Sequence, residues 1–177
     1  MTRNYYTEIS VDQPTVELLD GLSFQFFDFK TLATSGVQEY LFEVPSGVDT
    51  VFYGRSFSGR GANLKYEVFS SPTFSSEGAA MPSRISNRNG DFAGGNQAMI
   101  WQNPTLTTDG TLADYDEVAG SSSTRSGNKG SAGSSASQVF PIVMVKKNSY
   151  TMVRITNLSS TVPVNYVLKW YWSEVEK

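Results

Sequence analysis

The sequence predicts an all-β protein, an antiparallel β-sandwich of jelly-roll type with about eight strands. Short apolar runs of strand character recur along almost the whole chain, each bounded by Gly, Pro, Asn or Ser. No stretch sustains the 3.6-residue apolar period of an amphipathic helix.

Leu22-Ser23-Phe24-Gln25-Phe26 alternates, and Phe27 and Phe29 then fall on the opposite phase, which predicts a bulge or a strand buried on both faces. Tyr40 to Val44, ended by Pro45-Ser46-Gly47, and Thr50 to Arg55 form the next two strands around a tight turn. In Asn63 to Phe69, Leu64, Tyr66 and Val68 face one way and Lys65 and Glu67 the other, as in a strand with one wet face. Ala98 to Gln102, Val139 to Val145 and Tyr150 to Thr156 follow, with Pro141 marking an edge strand or a bulge. The last strand, Val164 to Trp172, sets Val164, Tyr166, Leu168, Trp170 and Trp172 on one face, which predicts core. Only Pro14 to Gly21 reads as a short helical turn.

Two internal echoes stand out. Pro72-Thr73-Phe74-Ser75-Ser76-Glu77-Gly78 returns 32 residues later as Pro104-Thr105-Leu106-Thr107-Thr108-Asp109-Gly110, and Arg84-Ile85-Ser86-Asn87 returns as Arg154-Ile155-Thr156-Asn157. Two copies do not make a solenoid, so both are read as equivalent strand-to-turn corners built with the same turn chemistry. From Gly120 to Ser137, eight of 18 residues are Ser and four are Gly, with no aromatic or large aliphatic side chain. Residues 120–137 are therefore expected to be one long flexible loop between core strands.

The chain has 177 residues, which fits a single domain over residues 1–177 with residues 1–20 as an N-terminal arm. It carries 14 Lys and Arg against 17 Asp and Glu, without a basic run, so nucleic acid is not expected as a partner. It has no Cys and no His, which removes disulfides, the Ser-His-Asp triad, a thiolate nucleophile and His/Cys metal sites. The start, MTRNYYTEIS, lacks the apolar region of a secretory signal, and Val139 to Val145 is far too short to span a membrane. A soluble, unexported protein is the expectation.

The remaining chemistry would need carboxylates. Asp109, Asp114, Asp116 and Glu117 lie close together in a stretch that reads as a solvated loop, and no calcium-loop spacing surrounds Asp114-x-Asp116. Gly54 to Gly61 lacks the Lys-Ser/Thr ending of a phosphate-binding loop. No catalytic, cofactor or metal residues are assigned, and the chain is read as non-enzymatic. Arg55 and Arg60, on a loop with Phe57, and Arg84, Asn87, Arg88 and Asn89 in the densest polar stretch are the candidate partner-binding residues, because Arg forks read carboxylates and anchor interfaces. An exposed Trp101 or Tyr115 would instead favour a surface glycan, since aromatic faces stack on sugar rings.

From Pro45 to Trp172 the order of motifs resembles a family of tailed bacteriophages, the head decoration or cement proteins. The motifs are Pro45-Ser46-Gly47, Tyr66-Glu67-Val68 followed by Pro72-Thr73-Phe74, Asn87-Arg88-Asn89, Pro104-Thr105 to Gly110-Thr111, the Gly/Ser loop, Asn148-Ser149-Tyr150 to Asn157, and Trp170-Tyr171-Trp172. The chain departs from the family pattern at Gly90, where a second Arg is common, and at Phe140, where a Trp is common. The resemblance implies a small sandwich, made in the host cytoplasm, that binds the major capsid protein on the outer surface of the head. It also implies self-association, often as a homotrimer, and it carries over no catalytic residues. A glycan-binding or host-adhesion module on a phage head or tail is the alternative.

Overall fold

The computed structural model describes residues 22–88, 96–120, 135–138, 143–145 and 147–176. Within them run β1 (Ser23–Leu32), β2 (Val37–Val44), β3 (Val48–Arg60), β4 (Leu64–Ser70), β5 (Thr73–Ser76), β6 (Ala79–Ala80), β7 (Ile85–Asn87), β8 (Met99–Gln102), β9 (Thr105–Thr108), β10 (Thr111–Val118), β11 (Ser135–Gln138), β12 (Val143–Val145), β13 (Ser149–Asn157) and β14 (Val164–Glu176), with a 3₁₀ turn over Pro82–Arg84. The fold is an all-β antiparallel sandwich, as the sequence predicts. The first sheet has the order β7-β1-β14-β3, with β11 and β12 both pairing along the far edge of β3. The second has the order β6-β8-β2-β13-β4-β10, and β5 and β9 form a separate two-stranded ribbon. Among the described residues no helix is long and apolar enough to cross a membrane.

The core lies between the two sheets and is built on aromatic rings. Trp170 and Trp172 from β14 stack on Phe26 and Phe24 of β1, while Tyr40 and Phe42 of β2 meet them edge-on from the other sheet. Each ring removes a large apolar area from water, and the offset and edge-on geometries add a smaller directional gain. The predicted core face of β14 is observed: Val164, Tyr166, Leu168, Trp170 and Trp172 are all buried.

The phase change foreseen in β1 does not occur. β1 pairs with β14 without a register shift from Ser23↔Ser173 to Leu32↔Val164. Phe27 and Phe29 simply point outward, 40% and 53% exposed, and the inward slot between Phe26 and Lys30 goes to a fully buried Asp28. The bulge belongs instead to β3, where the pairing steps from Tyr171↔Gly54 to Trp172↔Phe52 and leaves Tyr53 as the extra residue. β3 also runs through the segment read as a Gly-rich loop. Its Gly59 lies under Leu64, where a Cβ would come within 2.5 Å of Leu64 Cδ1, so the glycine answers a packing need within a strand.

The expected flexible loop is corrected at its C-terminal end. Ser135–Gln138 pairs with β3 from Ser135↔Ser58 to Gln138↔Arg55. Backbone pairing to an edge needs no apolar side chains, so a Ser-rich composition did not reveal it. The helical turn at Pro14 to Gly21, residues 1–20, most of 120–137, and Pro141 lie outside the described residues.

The echoed heptapeptides are each other's partners. β5 and β9 pair antiparallel, with Phe74 opposite Leu106, and Thr73 Oγ1 lies 2.8 Å from Thr108 Oγ1. Each copy leaves its parent strand through a left-handed residue before proline, Ser71 and Asn103, both at φ 54°, and each ends on a left-handed glycine, Gly78 at φ 92° and Gly110 at φ 89°. A Cβ on Gly78 would meet Gln102 O at 2.2 Å, and one on Gly110 would meet Ser70 O at 2.3 Å, so each glycine packs on the strand end that launches the other copy. The units β4-β5-β6 and β8-β9-β10 are thus related by an approximate two-fold, with β6 pairing to β8 and β10 to β4. The shorter echo has no such relation, since Ile85–Asn87 borders the first sheet and Arg154–Asn157 is central in the second.

Candidate partner-binding face

Each sheet has an outer face, and the two are treated differently. On the second sheet, Leu41, Phe69 and Met152 form a small outer core covered by Phe74, Leu106, Trp101 and Tyr150, so the β5–β9 ribbon roofs that face. Both ends of the roof are tied to β13. Arg154 donates to Glu39 at 2.7 Å and to both oxygens of Asp109 at 2.6 and 2.7 Å, which holds the Asp109 carboxyl below the ordinary carboxylate range. At the other end the Tyr150 hydroxyl reaches Glu43 and Glu77 at 3.2 and 3.1 Å.

No such ribbon covers the first sheet among the described residues. Register places Phe29, Val167 and Ser58 in one row of its outer face, Phe27, Lys169 and Ser56 in the next, and Thr31, Asn165 and Arg60 at one end. Lys169 Nζ stands 5.7 Å from the Phe27 ring centre. At the other end the bulged Tyr53 stacks on Tyr171 with centroids 6.4 Å apart, and Arg88 lies over both rings at 5.7 and 5.2 Å while donating to Tyr53 Oη at 2.8 Å. The result is a strip in which exposed Phe27 and Phe29 adjoin half-buried Val167, Tyr53 and Tyr171, edged by Lys169, Arg60 and Arg88. Aromatics flanked by Arg are the composition enriched at interface centres.

The sequence-predicted residues divide on this geometry. Arg60 and Arg88 are exposed on the face. Arg84 is exposed too, but on the 3₁₀ turn, where its Nε lies 3.9 Å from the buried Asp28. Asn87 is half-buried on β7, paired in register with Phe24, and Asn89 lies outside the described residues. Arg55 is corrected: it is buried on the inner face of β3, within 3.1 and 3.4 Å of Asp114 and Asp116 and 4.2 Å above the Tyr66 ring, and it is a structural cation. Phe57, placed beside it in the sequence reading, is core. Of the acidic stretch, Asp114, Asp116 and Glu117 lie in β10 and not in a loop, while Asp109 sits in the turn before it, and Asp114 and Asp116 serve Arg55. Among the described residues no group of three or more acidic, His or Cys side chains is placed to hold a metal.

Trp170 and Trp172 are core. Trp101 is half-buried under the ribbon with its indole N–H donated to Glu43 at 3.1 Å, whereas Tyr115 is exposed and bonded to Glu117. Phe27 and Phe29 were missed as surface residues because an F-F-D-F run reads as core. The signal available was the aspartate, which breaks a two-sided apolar strand.

One inward cluster links the sheets. Tyr40 Oη donates to Asp28 and lies 2.5 Å from Tyr166 Oη, and Phe29 N donates to Asp28 at 3.0 Å. Burial raises the Tyr40 and Tyr166 hydroxyls well above the ordinary tyrosine range and raises that of Tyr66 as well. A raised folded-state value keeps its full stabilisation below the unfolded tyrosine pKa of about 10 and loses it as pH rises beyond that. Alkaline titration followed by tyrosinate absorbance is therefore expected to show exposed tyrosines ionising first, and these three only together with unfolding. Ionisation of all nine tyrosines in one step, with tryptophan fluorescence unchanged, would contradict it. No family model matches this chain, and no curated protein matches it either.

Proposed function

We propose that this chain is a non-enzymatic structural virion protein that binds the outer surface of a phage capsid through the outer face of its first sheet and stabilises the shell. The observation that supports the reading is exposed Phe27 and Phe29 with half-buried Val167 beside Lys169, Arg60 and Arg88, a face uncovered among the described residues, on a sandwich whose opposite face is already roofed. The motif order quoted above supplies the capsid as partner and the homotrimer as assembly state. Strand order supports the finer jelly-roll reading: β1-β14-β3-β12 and β2-β13-β4-β10 interleave as the chain crosses between sheets, with β5 to β9 as an insertion. Symmetric repetition would turn modest single contacts into firm attachment.

Co-sedimentation with empty heads lacking this protein tests the reading. Saturable binding at a lattice stoichiometry is expected, and Phe29→Asp is expected to weaken it by more than about tenfold, as for loss of a central interface anchor. Arg88→Ala is expected to reduce occupancy more than it reduces folding stability, because its side chain is exposed. Folded protein that fails to bind heads, but whose tryptophan fluorescence responds to host polysaccharide, would replace this reading with the glycan-binding one.

A further inference from the structure

At the mouth of the sandwich, β1 places Lys30 two residues after the buried Asp28 on the same inward face. Lys30 Nζ reaches across to the second sheet and donates to Gln102 Oε1 on β8 at 2.6 Å and to Gln38 Oε1 on β2 at 2.8 Å. Its nearest carboxylate oxygen, Asp28 Oδ2, is farther away at 3.8 Å. The amine is thus lodged against two carboxamides, with the carboxylate set behind it. The Gln38 amide nitrogen is itself engaged, donating to Glu39 O and Asn103 Oδ1 at 2.8 Å each. The Gln102 amide makes the shorter contact to Nζ.

This set contains every group needed to join an amine to an amide. A lysine attacks a carbonyl carbon only when neutral. Burial and the nearby Arg84 guanidinium both favour the neutral amine, against the opposing pull of Asp28. Asp28 is fully buried and held as an acceptor by Tyr40 Oη and Phe29 N, which positions it to receive a proton from Nζ. The strands on either side fix both partners, so the entropy of bringing them together is already spent on folding.

We infer that Lys30 and Gln102 form an intramolecular isopeptide bond, promoted by Asp28, that cross-links β1 of the first sheet to β8 of the second. Asp28 takes a proton from the Lys30 ammonium, and the neutral Nζ adds to Gln102 Cδ while the carbonyl electron pair shifts to Oε1. As that pair returns, the Cδ–Nε2 bond breaks, and Nε2 leaves as ammonium with the two protons that Nζ gives up. An ammonium and a primary amide become a secondary amide and an ammonium ion, without an oxidant, reductant or co-reactant. A chain lacking cysteine thereby closes a covalent link between its sheets without thiol chemistry.

Intact mass of the full-length protein under denaturing conditions decides the matter independently of any capsid binding. The wild-type chain is expected to be lighter than its sequence mass by one ammonia and to yield, after proteolysis, one branched fragment joining the Lys30 and Gln102 peptides. Lys30→Arg keeps the cation but cannot form the bond, and is expected at its full sequence mass. Gln102→Ala provides the second variant should Lys30→Arg fail to fold by circular dichroism. Folded wild-type protein at its full sequence mass, before and after prolonged incubation, would overturn the inference. So would loss of ammonia that persists in Lys30→Arg, or a branch mapped to Gln38.

Discussion

Asp28→Ala is expected to lower the unfolding free energy by about 2–4 kcal/mol, the cost of leaving the donors of a buried charged acceptor unpaired. The carboxylate lies 3.8 and 3.9 Å from Lys30 and Arg84, and it accepts from Tyr40 Oη and Phe29 N. Its loss leaves the buried Tyr40 hydroxyl and the Phe29 amide without this acceptor, and removes a carboxylate that faces Lys30 and Arg84. Asp28→Asn keeps an acceptor for Tyr40 but not the charge, so a smaller loss of about 1.5–3 kcal/mol is expected, the worth of a hydrogen bond to a charged group. Urea denaturation read by tryptophan fluorescence measures both. An Asp28→Ala midpoint equal to wild type would mean that the polar link between the sheets contributes nothing.

Trp172→Ala is expected to cost about 3–5 kcal/mol, as for a large aromatic removed from a core that cannot collapse around the gap. Trp172 is fully buried, with its ring 5.9 Å from Phe24, 5.5 Å from Phe42 and 6.3 Å from Phe52. Its indole N–H also donates at 3.0 Å to Glu174, a buried carboxylate that accepts as well from the Gln97 and Ala98 amides at 2.7 and 3.0 Å. The substitution therefore opens a cavity and removes a donor from a buried charge. Trp172→Phe separates the two effects, since it keeps most of the ring volume and drops only the donor. A Trp172→Ala loss below about 1 kcal/mol, the size of an average point substitution, would show that the aromatic stack is not where the stability resides.

The long strands were legible because alternation over seven or more positions, as in β4 and β14, has one reading. What escaped were elements whose stability comes from elsewhere. β5, β9 and β11 are rich in Ser and Thr and exist because a neighbouring strand supplies hydrogen-bond partners, a fact no local pattern records. β10 was hidden by its acids, which looked solvent-directed until the inward Arg55 of β3 gave Asp114 and Asp116 a partner. The same error ran in reverse at Arg55, since an arginine between glycines reads as surface. Phe27 and Phe29 read as a bulge or a two-sided strand because they fall on the opposite phase, yet the alternation Phe24, Phe26, Asp28, Lys30 is intact and marks the polar rivet between the sheets. Arg88, a candidate from its polar neighbourhood, is exposed, and its seat on Tyr53 and Tyr171 depends on a bulge in another strand, which is invisible in its own neighbourhood.

The approximate two-fold between β4-β5-β6 and β8-β9-β10 has a kinetic consequence. Each unit donates its last strand to the other's parent strand, so neither can complete its own hydrogen-bonding until both have been synthesised. An emerging chain must hold the first unit open, and pairing it with the second requires two loop closures, from Ala80 to Trp101 for β6–β8 and from Ser70 to Thr111 for β4–β10. Such reciprocal dependence favours slow, all-or-none assembly from distant contacts, and once formed it leaves no half of the ribbon able to peel away alone. The same reciprocity invites exchange between chains, because the partner unit a waiting strand accepts can come from a neighbouring copy at high concentration.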